Sequence, residues 1–172
     1  RGPVEIAVAG DIEPDAVIDA VARTFGALPA RGPRRPLNDL RRVRFPADPF
    51  RREFAIATEI PKADLALYWP TTDGRDILLA RRLNLLAEVL SDRLRLKVRE
   101  ELGDAYSPGV GSVAGDVFPG FGYIQAGITV DPSKTAVILG VVETVAAELA
   151  AKGVNEDELK RAKEPVLTSL RE

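Results

Sequence analysis

The stretch that decides the fold is residues 76–103, DILLARRLNLLAEVLSDRLRLKVREELG. Its aliphatic residues recur every three or four positions, which is the spacing of one face of an α-helix. Gly103 follows the last of them, where a glycine commonly ends a helix. We therefore predict one long helix, or two abutting helices, with a buried stripe of Leu79, Leu83, Leu86, Leu90, Leu94, Val98 and Leu102.

Extended segments flank this helix on both sides. Before it, residues 54–60 and 65–69 alternate apolar and polar side chains across a short proline-containing connection, which predicts a β-hairpin. After it, residues 106–112 and 121–130 predict two antiparallel strands joined through glycine and proline. An apolar run at residues 4–9 predicts one more strand, near the start of the chain.

Three further helices are predicted from their start signals. Pro14 opens the first, and Asp131-Pro132-Ser133 opens the second. Asn155 is a good N-cap for the third, with Glu158 three residues on, and Pro165 should kink that helix. The second helix is expected to bury Val137, Val141, Val145 and Leu149.

The predicted element order is β-α-β-β-α-β-β-α-α. This order favours a two-layer α+β sandwich, a mainly antiparallel sheet with helices packed on one face. With 172 residues, 45% of them hydrophobic, the chain is expected to form a single domain over residues 1–172. Residues 27–49, rich in Pro and Arg, are interpreted as a connector within it.

Composition excludes several classes of function. The chain has no His and no Cys, which removes the usual general base, the thiolate nucleophile and the usual zinc ligands. A formal net charge of −2 disfavours nucleic acid as a partner. No apolar run is long enough to predict a membrane span. The eight arginines between Arg31 and Arg52 are interpreted as a solvated linker. We expect no catalytic residue and no metal site in this chain in isolation.

The junction between the long helix and the next predicted strand carries two side chains that are suited to bind a peptide. Arg99 falls in the last turn of the long helix, and Tyr106 falls at the start of the next predicted strand. A guanidinium and a phenol can both donate hydrogen bonds to a peptide carbonyl, or to the oxyanion formed when it is attacked. The competing interpretation is structural, because an Arg in this position complements the helix dipole and a Tyr opening a strand commonly packs half-buried.

The chain resembles the pitrilysin/insulinase family of zinc metallopeptidases, the inverzincins, which include mitochondrial-type processing peptidases. SDRL at 91–94, VREELG at 98–103 and AYS at 105–107 are similar to the family signature S-x-L … L-R-E-x-L-G-x-A-Y-S. AVAGDIEP at 7–14 resembles its V-G-D-x-x-P turn, and VNEDELKRAK at 154–163 resembles its T-x-x-E-L-x-R-A-K helix start. The three stretches occur in the family's order and span nearly the whole chain.

This resemblance implies a processing-peptidase-like fold and a larger parent, built from repeated α+β domains that form a clamshell around a chamber. One domain of such a parent carries the motif H-x-x-E-H. Its two His, together with a more distant Glu outside the motif, hold Zn²⁺, and the Glu of the motif polarises the attacking water. The present chain resembles a metal-free, C-terminal-type domain. No cofactor is therefore expected in it, and zinc is expected in the catalytic domain of the parent.

By the same resemblance, Arg99 and Tyr106 correspond to the family's Arg–Tyr pair, which holds the substrate backbone and stabilises the tetrahedral intermediate. The implied partners are a peptide substrate and a catalytic zinc-binding domain, in the same chain or in a partner subunit. Only one of the metal-free domains in these enzymes uses the pair, and in the other both residues are structural.

Two alternatives remain open at the level of sequence. The chain could be a catalytically inert scaffold or assembly domain of the same fold, or a module that binds a peptide or partner at a sheet edge. A start at Arg1-Gly2-Pro3 without Met leads us to expect a piece of a longer protein. The absence of Cys fits both a reducing and an oxidising compartment, so it does not fix the location. We expect a bacterial protein of the periplasm or the cytoplasm.

Overall fold

The computed structural model describes residues 4–29, 37–103 and 107–171. The chain divides into two compact units, the first ending at Leu40 and the second beginning at Arg41. The first unit contains helix α1, Pro14–Thr24. The second contains, in chain order, β1 (Ala63–Thr71), α2 (Ile77–Leu102), β2 (Gly109–Ala114), β3 (Gly122–Val130), a 3₁₀ turn (Pro132–Lys134), α3 (Thr135–Lys152) and α4 (Glu156–Ser169).

In the first unit, the helix prediction is correct and the strand prediction is wrong. Pro14 occupies the first turn of α1, where its missing N–H costs nothing. Residues 4–9 form no strand. An apolar alternating run becomes a strand only when a neighbouring strand takes up its backbone hydrogen bonds, and the structure gives this run no strand partner among the residues it describes.

The second unit is built on a three-stranded antiparallel sheet in the order β1-β3-β2. Leu65 of β1 lies opposite Ile128 of β3, and Ser112 of β2 lies opposite Ile124. The strand predictions at 65–69 and 121–130 are confirmed. The strand predicted from residue 106 begins at Gly109 within the described residues.

The predicted hairpin between residues 54–60 and 65–69 does not form. β1 pairs with β3 instead, and residues 54–60 are assigned to no strand. Phe54 and Ile56 are 83% and 82% exposed. Alternation shows which side chains can share a face of a sheet, but it does not determine which strand lies alongside.

The core lies between one face of this sheet and the helices. Leu94 and Val98 of α2 and Ile138 of α3 are fully buried. They pack in one cluster with the alternate residues of β3 that point the same way, Ile124, Ala126, Ile128 and Val130. Each large aliphatic side chain buried in this way contributes about 1.5–3 kcal/mol. The predicted two-layer α+β sandwich is thus confirmed, with helices covering one sheet face.

The apolar stripe of α2 is as predicted where the structure describes its side chains, whereas that of α3 is shifted. Val145 and Leu149 are buried as expected and Val141 packs partly buried against the core, but Ile138 and Val142 are the more deeply buried residues. Val137 is 49% exposed. Since α3 is apolar on nearly all sides, helical spacing alone leaves the orientation of its buried face ambiguous by one residue.

Two helices end at a glycine and one begins at a capping box, as predicted. Gly103 closes α2 with a φ of 81°, and Gly153 closes α3 with a φ of 72°. Asn155 and Glu158 form a reciprocal capping box at the start of α4. The last helix continues past Pro165 to Ser169.

An ion pair clamps α2 to the start of α4. Arg93 Nε donates to Glu158 Oε1 at 2.7 Å, and Arg93 Nη2 donates to Glu158 Oε2 at 2.8 Å. The same Nη2 donates to the carbonyl oxygen of Gly153 at 2.8 Å, so the guanidinium also satisfies the C-terminus of α3. The two side chains are only 20% and 13% exposed. The end of α3 and the start of α4 are therefore both joined to the body of α2 by one guanidinium.

This clamp changes the acidity of its carboxylate. The Arg93 hydrogen bond, reinforced by the backbone N–H of Asn155, lowers the pKa of Glu158 from 4.5 to about 2. Hydrogen bonding to Glu158 in turn raises the pKa of Arg93. Both partners are therefore ionised throughout the physiological pH range.

We predict that Glu158→Gln lowers the free energy of unfolding by about 2 kcal/mol, because the amide keeps the cap but leaves a half-buried guanidinium unpaired. Urea unfolding followed by circular dichroism measures this loss. Asp157→Asn is the matched control, since it removes the charge of a carboxylate in the same helical turn that pairs with exposed Arg161. The control should cost less than about 0.5 kcal/mol. Equal losses in the two variants would contradict the clamp.

The clamp also predicts a defined acid sensitivity. Since the pKa of Glu158 is lower in the folded chain than its value of 4.5 when free, the stability it contributes is complete above pH 4.5. That stability is lost as the pH falls from about 4.5 to about 2. Urea unfolding of the wild type and Glu158→Gln across this range should therefore give a stability difference that shrinks towards low pH. A difference that stays constant would rule out Glu158 as the source.

Candidate functional site

Arg99 lies at the end of α2, as the sequence predicts. Its carbonyl oxygen accepts a hydrogen bond from the N–H of Gly103 at 2.9 Å, which closes the last helical turn. The side chain is exposed. The same turn of α2 carries fully buried Val98, so the backbone of this turn is held by the core.

Tyr106, the second predicted site residue, lies outside the described residues. The structure therefore locates Arg99 but not its expected partner, and their pairing stays a prediction. The described chain resumes at Ser107 and enters β2 at Gly109.

Charged side chains next to Arg99 form a surface pair. Lys97 Nζ lies 2.7 Å from Glu100 Oε2, and both side chains are more than half exposed. The hydrogen bond to Glu100 raises the pKa of Lys97. An exposed pair of this kind is screened by solvent and contributes little to stability. The carboxylate of Glu100 is engaged by Lys97 on the helix surface.

The residues present do not fit a resident zinc ion. The sequence offers no His or Cys, and the described part of the chain contains no group of three or more carboxylates placed to hold a metal. Within the same residues, no polar or charged residue is buried as a whole, although the hydroxyl oxygens of Thr71 and Ser112 are buried. No helix among them is long and apolar enough to cross a membrane.

A cleft lies where the predicted connector meets the sheet. Phe45 stacks on Phe121 with ring centroids 4.7 Å apart, and it contacts the edge of Tyr123 at 6.3 Å. The cleft beside them has a volume of about 490 Å³. Its lining comes from residues 42–45, the end of β1 and the β2–β3 turn: Arg42, Val43, Arg44, Phe45, Pro70, Thr71, Pro119, Gly120 and Phe121.

The carboxylate of Asp73 fixes the turn that forms one wall of this cleft. Asp73 Oδ2 accepts a hydrogen bond from the N–H of Gly120 at 2.6 Å, and Oδ1 accepts one from the N–H of Arg75 at 3.1 Å. The hydrogen bond from Gly120, followed by that from Arg75, lowers the pKa of Asp73. Gly120 has a φ of 70°, which favours glycine at this position.

Sequence reasoning did not identify this cleft or the Arg93–Glu158 clamp. Residues 27–49 are interpreted from composition as a solvated connector, yet Phe45 within them packs on the sheet. The sequence feature that could have indicated this packing is Phe45 itself, an isolated aromatic residue in an Arg- and Pro-rich run. For the clamp there is no local signal, because its two residues are 65 positions apart.

Solved structures with the same fold include two bacterial proteins. A peptidase M16 inactive domain from Pseudomonas fluorescens superposes with a TM-score of 0.64 at 23% identity, covering 95% of this chain and 38% of that one. The periplasmic protease PqqL from Escherichia coli superposes with a TM-score of 0.57 at 21% identity, covering 94% of this chain and 18% of that one. The present chain thus spans well under half the length of either.

Comparison at the level of sequence adds the family. No curated protein matches this chain. The family model described as the peptidase M16 inactive domain matches residues 3–166, which is almost the whole chain. The model agrees with the resemblance drawn from the three sequence stretches and with the two-layer fold. The chain belongs to the peptidase M16 inactive-domain family.

Proposed function

We propose that this chain is the domain of a zinc metalloendopeptidase that helps to hold the peptide substrate at a zinc site carried by another domain. The observation that carries the proposal is that Arg99 is an exposed residue, on a helical turn held by the core, within the stretch that resembles the family signature. The family is that of non-catalytic M16 domains, and this chain has no His with which to form H-x-x-E-H.

In this proposal Arg99 acts as a fixed hydrogen-bond donor. A guanidinium presents several N–H groups in a planar fork, which suits a peptide carbonyl oxygen and the negative charge that develops on it during attack. The helix fixes the backbone that carries the arginine, so only the side chain has to be ordered when it binds. Tyr106, placed between the end of α2 and the start of β2, would add an O–H donor. Zinc and the activated water belong to the catalytic domain.

The inert scaffold is the second candidate. One observation favours it: Arg99 occupies the last turn of α2, where a positive charge is favourable for the helix dipole without any substrate. The two candidates differ in what the parent must contain. A zinc endopeptidase needs H-x-x-E-H in the parent chain or in a partner subunit, whereas a scaffold has no such requirement.

We expect Arg99→Ala and Tyr106→Phe, each made in the full-length parent enzyme, to lower kcat for peptide cleavage by about 10²–10³, the typical cost of removing an oxyanion donor. Steady-state cleavage of a fluorogenic peptide measures the effect. Arg95→Ala is the matched control, since Arg95 is an exposed arginine of the same helix whose guanidinium pairs with Asp92. The control should leave kcat within about twofold of the wild type, as expected for a surface pair.

Unchanged turnover in both test variants, with a folded parent that contains H-x-x-E-H, would overturn the role in catalysis and leave the scaffold. A loss in Arg95→Ala as large as that in Arg99→Ala would show that the effect comes from removing surface charge.

A further inference from the structure

Residues 54–60, FAIATEI, carry a row of exposed apolar side chains, and we name this segment the strap. Phe54 and Ile56 are almost fully exposed, and Ile60 is more than half exposed. These residues alternate with small or polar ones, so an extended strap places all three large side chains on one face. Burying such side chains is favourable. The strap therefore has the pattern of a strand whose apolar face is uncovered.

Strand β1 has one open edge. It pairs with β3 on one side and lies at the end of the order β1-β3-β2, so no strand of the described chain pairs with its other side. Pro70 has no N–H to donate, and a proline is tolerated within such a strand where it faces the open edge. Because the backbone groups of successive residues face the two edges alternately, Asp64, Ala66 and Tyr68 direct theirs to the open edge as well. An edge of this kind is a template for one more strand.

The side chains of β1 indicate which face an added strand would extend. Leu65, Leu67 and Trp69 pack against the core but are only partly buried, whereas the residues of β3 opposite them are buried. The reason is that β1 is the last strand of the sheet, so no strand covers the outer flank of these side chains. A further strand with its apolar row on this face would complete the layer between the sheet and the helices.

The connection between the strap and β1 brings the two apolar rows onto the same face. Only Pro61 and Lys62 separate Ile60 from Ala63. The N–H of Lys62 already donates to the carbonyl oxygen of Ile60 at 2.8 Å, so the chain turns at this point. Folding back around these two residues places Ile60 opposite Ala63, and the pairs that follow are Thr58 with Leu65, Ile56 with Leu67 and Phe54 with Trp69. Directly opposite residues of an antiparallel pair lie on the same face, so the exposed row of the strap joins the partly buried row of β1.

We propose that the strap closes on the open edge of β1 as a fourth antiparallel strand, with its apolar row facing the helices. The unpaired strap of the structure is the open state of this device. The occupant of the edge is the strap itself, because a two-residue connection holds it beside β1 at a high effective concentration. Once closed, the strap covers an edge to which an extended peptide from outside could otherwise add. Closure requires neither Arg99 nor the zinc of another domain, so it goes beyond the proposed function.

The test is amide hydrogen exchange in the 172-residue chain, followed by nuclear magnetic resonance. In the closed state the N–H groups of Ala55 and Ala57 donate to β1, and that of Ala66 donates to the strap. The N–H groups of Ile56 and Thr58 face away from β1. We expect the first three amides to exchange at least about tenfold more slowly than the other two.

A pair of proline variants tests the same alternation. Ala57→Pro removes a donor to β1 and should speed exchange of the Ala66 amide by about tenfold or more. Thr58→Pro is the matched control, because it introduces the same ring at the adjacent position, whose N–H faces away, and should leave the Ala66 amide protected. The amides of β3 report that each variant is folded.

Three results would overturn the proposal. They are fast exchange at every strap amide and at Ala66 in the wild type, equal loss of protection in the two proline variants, and protection that grows with protein concentration. The last result would assign the edge of β1 to the strap of a second copy of the chain.

Discussion

The second unit depends on burial of one stripe of α2 between the sheet and α3. Leu94 and Val98 are completely removed from solvent, and Leu90 nearly so. Their partners are the alternate residues of β3 that face the helices, together with Ile138 and Val142 of α3. Because this stripe faces the core, the rotation of α2 about its own axis is fixed. The face of the helix on which each polar residue lies is therefore fixed as well.

Two of these polar residues have different roles because they lie at different points along α2. Arg93 is half-buried beside the ends of α3 and α4, where it is clamped by Glu158 and the carbonyl of Gly153. Arg99, further along at the last turn, is exposed. The clamp holds the helices together, and Arg99 is an exposed residue at the end of α2. Arg93 thus has a structural role, and the proposed function is assigned to Arg99 of the same helix.

Local signals predicted much of this fold. The spacing of the leucines in α2, the stop at Gly103 and the capping box of Asn155 and Glu158 all depend on residues within a few positions of one another. Local signals failed where a partner had to be chosen across the chain. The segment at residues 54–60 has the alternation of a strand, but β1 pairs with β3, and the choice is decided by the core that both strands share with α2.

The candidate site divides in the same way. The position of Arg99 could be predicted because a helix end is a local feature, and the stretch around it carries the family resemblance. The clamp between Arg93 and Glu158 and the stacking of Phe45 on Phe121 could not, since both join residues far apart in sequence. Composition assigned residues 27–49 to solvent because arginine and proline dominate there, and it gave no weight to the single phenylalanine.

The proposed role of Arg99 is tested most directly by a crystal structure of the full-length parent enzyme with an uncleaved peptide bound at the zinc site. We expect a guanidinium nitrogen of Arg99 within about 2.7–3.2 Å of a peptide carbonyl oxygen. An Arg99 side chain that points away from the bound peptide, with no hydrogen bond to it, would contradict the account.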